Sequence, residues 1–432
     1  MDYHHEVLVV GGGWAGVSAA LSARKAGADV AICEKTDMLL GAGLVGGIFR
    51  NNGRFVAAEE CIAMGAGEIF QLLDNLSRHR MIEFPGHRHA SLYDVVKVEP
   101  AVRELLFRFG VTVYTGARIV AGKTADDGKA NDMRLRAVKS EDGRWFRAES
   151  FVDATGSSGP MGICRIFGNG CASCIQRCPA FGPRVSLSRI LGLPEFMSTR
   201  RKGSYGAMSG SCKLAKESLD PEIVRELDER GVVVRKLPEH LRNKNKNKLN
   251  MKACQQYALP EYADSLVILD TGQGKLMSPY FPLDELRSVP GFENARFLDP
   301  LGGGKGNSIR LVAASPRDET LKLAGADNVF VAGERAGILV GHTEAIVTGT
   351  LAGRNALLHA RGKPLLEIPT RLATGDFIAS STVTPDGKGL DSPFTFAGSV
   401  YFQRMVDLGL YDPDPEVIAK RVRDCAMDGV FA

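Results

Sequence analysis

Three glycines and one carboxylate near the start of the chain are spaced for dinucleotide chemistry. Residues 6–34 read EVLVVGGGWAGVSAALSARKAGADVAICE, with Gly11, Gly13 and Gly16 in G-x-G-x-x-G spacing. The first glycine permits a tight turn, the second lets backbone approach a pyrophosphate, and the third lets helix and strand pack closely. Trp14 and Ala15 would then open a helix whose unpaired N–H groups and positive dipole end face the phosphates. Glu34, 18 residues after Gly16, is placed to accept hydrogen bonds from ribose hydroxyls, with Lys35 beside it. An acidic residue there disfavours a 2′-phosphate, so FAD or NAD is expected before NADP.

A second set of chemically able residues is the run Cys164-x6-Cys171-x2-Cys174-x3-Cys178-Pro179, four of the chain's nine cysteines. Its last part, C-x2-C-x3-C-P, resembles the end of a bacterial ferredoxin run, with Cys164 as the source of the fourth thiolate. One reading is a [4Fe-4S] cluster exchanging single electrons with a flavin. Another is a dithiol–disulfide pair formed by Cys171 and Cys174. Four thiolates also suit tetrahedral zinc, and buried, reduced cysteines are the plain alternative. Arg177 and Arg184 flank the run and would lower thiol pKa values or bind an anion.

The elements that must position these residues follow from pattern. A strand over Val7–Val10, a helix and a second strand ending at Glu34 form the first unit. Glycines 41, 43, 46 and 47 then mark backbone that comes close to a flat or phosphorylated group, Gly43 foremost. A helical pattern covers 57–80, followed by a His/Arg-rich loop holding Arg78, His79, Arg80, His87, Arg88 and His89, read chiefly as solvated. A helix and a strand occupy 93–120, and a β-meander leads into the Asp153-Ala154-Thr155-Gly156 strand end. Residues 161–319 lack the βαβ rhythm. It returns at 326–360, with a strand running into Gly333-Glu334 and a helix opened by His342 and Thr343. One amphipathic helix is expected in the tail, near 414–426.

Three motifs in order, the G-x-G-x-x-G with Glu34, the DATG at 153–156 and the VFVAGE at 329–334, resemble the FAD-binding domain of the glutathione-reductase-like flavoprotein superfamily. The resemblance implies an α/β, Rossmann-like FAD-binding domain with an inserted α+β substrate domain. The FAD part is expected over 1–50, 93–160 and 320–365, the substrate and cysteine part over 51–92 and 161–319, and a helical tail over 366–432. The helix after Glu334 would aim its N-terminus at the flavin pyrimidine ring and stabilise the reduced, anionic flavin. His342 would be a proton donor or sit over the ring, with a backbone-satisfied histidine as the plain alternative.

The C-terminal third carries a narrower resemblance. RSVPGFENARF at 287–297, AGERAGILVGHTEAIVTGTLAGRNA at 332–356 and PTRLATG at 369–375 are similar to segments of the flavoproteins that modify tRNA uridines, including the folate- and FAD-dependent uracil methyltransferases. The Cys-Ser-Asn run that those enzymes carry has no counterpart at 36–60.

At 432 residues, 44% hydrophobic and 24% charged, the chain has the profile of an ordinary globular protein of two or three domains. A formal charge of +4 demands neither nucleic acid nor membrane. No stretch reaches membrane-span length, and the first strand begins almost at once, so a cytoplasmic protein is expected. Seven Lys/Arg stand against one Glu at 235–252 without aromatics, a pattern of solvated loop before RNA contact. The PLGGGKGN loop at 300–307 offers Lys305 and Asn307 as substrate contacts. No second strand–glycine–helix unit is visible, so NAD(P)H would reduce the flavin transiently at an open face. The expected activity is an FAD-dependent oxidoreductase exchanging electrons with the cysteine centre and a small-molecule substrate or redox partner protein. The rivals are a folate- and FAD-dependent RNA uridine-modifying enzyme and a flavin electron-transfer subunit. Self-association into a homo-oligomer is compatible with either.

Overall fold

The computed structural model describes residues 2–125, 133–156, 177–197, 207–208, 212–242, 259–277, 281–298, 309–310, 312–387 and 394–432. Cys164, Cys171, Cys174, Lys305 and Asn307, with most of the basic run at 242–252, lie outside them.

Strand β1 (Asp2–Val10) is apolar and wholly buried from Val7 onward, the mark of a strand covered on both faces. Helix α1 (Trp14–Lys25) returns to β2 (Val30–Cys33), which pairs parallel to β1. The glycine-rich stretch folds into a short helix, α2 (Gly43–Gly46), and β3 (Ile48–Arg50). Two helices follow, α3 (Gly53–Ala63) and α4 (Glu68–Asn75).

Residues 77–93 are a hairpin, β4 (Ser77–Phe84) with β5 (His87–Tyr93), and together with β3 they make a three-stranded sheet. This corrects two expectations, the helical pattern running on to residue 80 and the His/Arg-rich loop. The reason lies in what holds the hairpin. Arg78 and His79 bind the buried carboxylate of Asp270 at 2.8 and 2.9 Å, and His87 sits buried with Nδ1 2.7 Å from Asn51 Nδ2. A strand held by charge pairs shows no apolar alternation to read.

Helix α5 (Val98–Arg108) and strand β6 (Thr112–Tyr114) extend the main sheet beside β2. The expected meander is β7 (Ile119–Ala125), β8 (Arg134–Ser140) and β9 (Trp145–Asp153). The main sheet runs β6-β2-β1-β9-β8-β7. After Asp153 the chain passes through the short helix α6 (Cys178–Phe181). A four-stranded antiparallel sheet then forms from β10 (Cys212–Leu214), β11 (Val232–Lys236), β12 (Ser265–Asp270) and β13 (Gly274–Leu276), in the order β10-β13-β12-β11, flanked by helix α7 (Pro221–Arg230). It buries Leu214, Leu227, Val233, Ile268 and Leu276 in a core of its own.

Strand β14 (Val329–Val331) pairs with the last residues of β9, and helix α8 (His342–Ala360) follows. The α1–α8 contact depends on small residues. A Cβ on Gly349 would stand 2.2 Å from the Ala15 carbonyl oxygen, and one on Gly353 2.0 Å from that of Ala19. Only glycine lets the two backbones meet, and the contact fixes one helix start near the other.

The tail holds three helices among the described residues, α9 (Ala373–Ser380), α10 (Ser399–Asp407) and α11 (Pro415–Asp424); only the last was expected. Helix α9 escaped notice because its N-terminus is capped from far away. Buried Glu60 accepts from the N–H groups of Ala373 and Thr374 and from the Thr374 hydroxyl, each at 2.8 Å. The tail buries Phe377, Tyr401, Ile418 and Val422 in the same core as the main sheet. No helix among the described residues is long and apolar enough to cross a membrane.

Candidate functional site

The register of the main sheet aligns its carboxyl ends. Val10 stands opposite both Cys33 and Asp153, and Val331 opposite Asp153. The segments that leave these strands at Gly11, Glu34, Ala154 and Ala332 therefore gather on one edge, where ligands of open α/β sheets sit. They wall a cleft lined by Gly11, Gly13, Trp14, Ala15, Glu34, Lys35, Gly43, Ala154, Thr155, Gly156, Gly333, Glu334 and His342. Two residues expected at the cofactor do not line it. Gly16 lies beneath the turn, where a Cβ would fall 1.8 Å from the Gly11 carbonyl oxygen. Thr343 is fully buried, its hydroxyl donating to the Phe49 carbonyl.

The cleft fits a dinucleotide. Among the described residues a Cβ on Gly13, Gly41 or Gly156 would meet no atom within 4 Å, and each of these residues faces the cleft. Backbone is thus laid open where a ligand must come close. Two helix N-termini converge on the same space, α1 at Trp14 and α8 at His342, and both favour negative charge.

Glu34 has a further task besides the expected one. Its Oε2 accepts from the Gly12 N–H at 2.7 Å and its Oε1 from the Thr36 N–H at 2.8 Å. The carboxylate holds the glycine turn to the end of β2 while still facing the cleft. Beside it, Arg118, Arg177 and Arg184 bring three guanidinium groups to the wall. Each has a carboxylate partner: Glu141 at 2.9 Å, Asp37 at 2.5 Å, and Glu195.

Asp153 of the DATG motif is fully buried. Its Oδ1 accepts from the Thr155 hydroxyl at 2.6 Å and its Oδ2 from the Leu187 N–H at 2.8 Å. Buried Arg335 completes this support, 3.5 Å from Asp153 and 2.7 Å from the hydroxyls of Ser188 and Ser315. Arg184 and Arg335 together hold the Glu195 carboxyl below the usual range against the opposing effect of burial.

At the other end of the cleft, Tyr93 donates its hydroxyl proton to the Gly43 carbonyl at 2.6 Å. His342 Nδ1 lies 3.1 Å from the same hydroxyl oxygen. Tyr93 has one proton and has given it away, so the second contact places a proton on His342 Nδ1. Burial pushes the Tyr93 phenol well above its ordinary range, which keeps that proton in place. Behind His342, Glu344 is buried and paired with Arg54 at 3.0 Å, and it accepts from the Thr395 hydroxyl and the Phe396 N–H. Tyr93 and Arg54 were not anticipated, because the partners that tie them to this end of the cleft, Gly43, His342, Glu344 and Thr395, are 50 to 341 positions away in sequence.

Of the cysteine run, only Cys178 is among the described residues. It opens α6 directly after Arg177, whose side chain lines the cleft. Among the described residues no group of three or more His, Cys, Asp or Glu could hold a metal ion. Cys33 and Cys61 are buried, and burial pushes both thiols well up, the opposite of what a reactive thiolate needs.

The cleft and fold can be set beside known proteins. Residues 6–159 match the family model described as FAD dependent oxidoreductase, and residues 270–364 match that described as Glucose inhibited division protein A. The methylenetetrahydrofolate–tRNA-(uracil-5-)-methyltransferase of Methylobacterium radiotolerans is 35% identical over 133 residues, 29% of this chain and 26% of its own. That of a Ruegeria species is 34% identical over 105 residues, 24% of this chain and 23% of its own. The matched segments thus span about a quarter of these relatives' length. The structure of Aquifex aeolicus GidA superposes with a TM-score of 0.65 over 98% of this chain and 76% of that one, at 16% identity; a second crystal form gives 0.63. The expected fold is borne out, as are the resemblance to FAD oxidoreductases and that to the tRNA uridine-modifying flavoproteins.

Proposed function

We propose that this chain, an FAD-dependent oxidoreductase by its fold and by its matched N-terminal third, is a cytoplasmic enzyme that modifies uridine in RNA. The observation that carries the substrate assignment is the company of residues 270–364. They match the division-protein model, and the chain's relatives include methylenetetrahydrofolate–tRNA-(uracil-5-)-methyltransferases.

Residues Gly11, Gly13, Trp14 and Ala15 would hold the pyrophosphate of FAD, Glu34 and Lys35 its adenosine end, and Ala154, Thr155, Gly156, Gly333 and Glu334 the middle. Bound FAD supplies acceptance and donation of an electron pair. The chain's own part is electrostatic and positional. The N-terminus of α8 presents N–H groups to negative charge, and the Arg54–Glu344 pair fixes that terminus in place. Tyr93 holds the proton on His342 Nδ1 and sets the ring's orientation, which makes His342 the candidate to carry a proton at the flavin end. The FAD-binding part would be assembled from 1–50, 93–160 and 320–365, and the substrate side from 51–92 and 161–319.

One observation favours a second reading. Arg177 lines the cleft and is followed directly by Cys178, the last cysteine of the run. Cys164, Cys171, Cys174 and Cys178 would then pass electrons to or from the flavin, as a [4Fe-4S] cluster or with Cys171 and Cys174 as a dithiol.

Both are tested on anaerobically purified protein. FAD-loaded protein is incubated with unmodified tRNA transcript, methylenetetrahydrofolate and NADPH, and the digested nucleosides are weighed. A methylated uridine, with tRNA affinity falling steeply as salt rises, is the expected result. No methylated uridine and no tRNA binding, with about four irons per chain, would move the assignment to the electron-transfer reading.

A further inference from the structure

Two lysines of the antiparallel sheet have no place in the cofactor cleft described above. Lys213 lies on β10 and Lys275 on β13, directly opposite each other in the strand register. Cross-strand partners project from the same sheet face, and like charges so placed repel. Both residues are nevertheless buried, at 8% and 6% exposure. Their ammonium groups converge on neighbouring carbonyls of α2. Lys213 Nζ donates to Leu44 at 3.1 Å and Lys275 Nζ to Val45 at 3.0 Å.

An ammonium has three N–H donors. Among the described residues Lys213 has one acceptor, a neutral carbonyl, and no carboxylate within ion-pair distance. A buried charge ordinarily has an opposite charge beside it. Burial alone pulls the Lys213 ammonium down to about 8, so most of it still carries its proton at neutral pH. The location is equally specific. Gly43 and Leu44 of α2 line the cofactor cleft, and the His342 ring packs against Gly46.

We propose that Lys213 and Lys275 form an oxyanion subsite on the substrate side of the cofactor cleft, built to take a phosphate or carboxylate group of the second substrate. This deepens the functional reading above and rests on it for the side of the cleft from which substrate enters. The oxyanion could be a phosphate of the RNA or a carboxylate of the folate's glutamate, and the two sources are separable.

The test uses FAD-loaded full-length protein, with inorganic phosphate as the probe and the flavin absorbance change as the signal. Lys213→Met keeps the apolar stem and removes the charge; Lys213→Arg keeps the charge, and Lys275→Met repeats the removal on the neighbouring strand. Wild type is expected to bind phosphate, both Met variants at least tenfold more weakly, and the Arg variant within about threefold, all with equal FAD content. Competition of phosphate by uridine 5′-monophosphate supports the subsite and assigns it to RNA; competition by methylenetetrahydrofolate supports it and assigns it to the folate. Competition by neither overturns it. Equal phosphate affinity in wild type and Lys213→Met overturns it too, whether or not that variant melts earlier, since the lysines would then only hold α2. Displacement of FAD by phosphate would also overturn it. Failure of the functional reading shows separately, as tRNA left unmodified while phosphate still binds.

Discussion

The cofactor cleft and the antiparallel sheet beside it present polar groups in opposite ways. In the cleft the working surface is largely backbone, exposed by Gly13, Gly41 and Gly156 and by two helix starts. The three arginines of its wall are each paired with a carboxylate. On the antiparallel side the work falls to charged side chains brought deep into the structure. Asp270, fully buried, gathers Arg78, His79 and Lys216, and Lys213 and Lys275 reach α2. A backbone surface suits a ligand of fixed shape held for the life of the protein, and costs little desolvation. Buried side-chain charge costs more, and it is retained where recognition or a fixed junction needs it.

The comparison is broken most strongly within the glycine turn itself. Gly16→Ala and Gly13→Val differ in what the new atoms meet. At Gly16 a Cβ would collide with the Gly11 carbonyl, backbone that cannot step aside. A loss of about 3 kcal/mol or more in unfolding free energy is expected, with FAD lost as a consequence. At Gly13 φ is −68°, ordinary for any residue, and no atom of the described residues stands within 4 Å of the space beyond. Gly13→Val should therefore leave the melting of FAD-free protein nearly unchanged and weaken FAD at least ~100-fold, about 3 kcal/mol. Denaturation in urea and equilibrium flavin titration measure the two separately. Equal loss of stability in both variants would mean that Gly13 is structural and the open space is not the cofactor's.

The antiparallel side answers to pH instead. Arg78, His79 and Lys216 hold the Asp270 carboxyl at about 2, against 3.8 for an ordinary aspartate. The folded value is depressed, so the stabilisation is complete above about pH 4 and is lost as pH falls through 2. Allowing for solvent screening it amounts to about 1–2 kcal/mol at neutral pH. Asp270→Asn should lower stability by that amount at pH 7 and flatten the acid limb of the stability curve between about pH 4 and 2. An unchanged acid limb would show that these three partners do not act on Asp270.

The same contrast explains what could be read from the chain beforehand. The turn at Gly11–Gly16, Glu34, the DATG strand end and the Gly333-Glu334 turn each state their place at the end of a strand within a few residues, because close backbone approach demands glycine at fixed spacing. The β4–β5 hairpin, helix α9 and the Tyr93–His342 contact were hidden. Each is stabilised by a partner far off in sequence: Asp270 for Arg78, Glu60 for the start of α9, and Tyr93 for His342 across 249 positions. No local pattern carries that information. Glu34 shows both at once, since its place was legible and its bond to the Gly12 N–H was not.

The smallest expected effect lies where the two regions meet. Tyr93 ends β5 of the hairpin sheet, yet its hydroxyl serves the cleft by bridging the Gly43 carbonyl and His342 Nδ1. Tyr93→Phe keeps the ring in its buried place against Trp14 and Phe49 and removes only the oxygen. The Gly43 carbonyl loses a donor and the imidazole loses an acceptor, a cost of about 1 kcal/mol, or ~1–2 °C in a chain of this size. The sharper readout is functional. With the acceptor gone, the Tyr93 contact no longer fixes the proton on Nδ1, so the pH dependence of flavin reduction should shift while FAD affinity stays within about twofold. A profile that superposes on wild type would take His342 out of the proton path and leave Tyr93 a purely structural tie between hairpin and cleft.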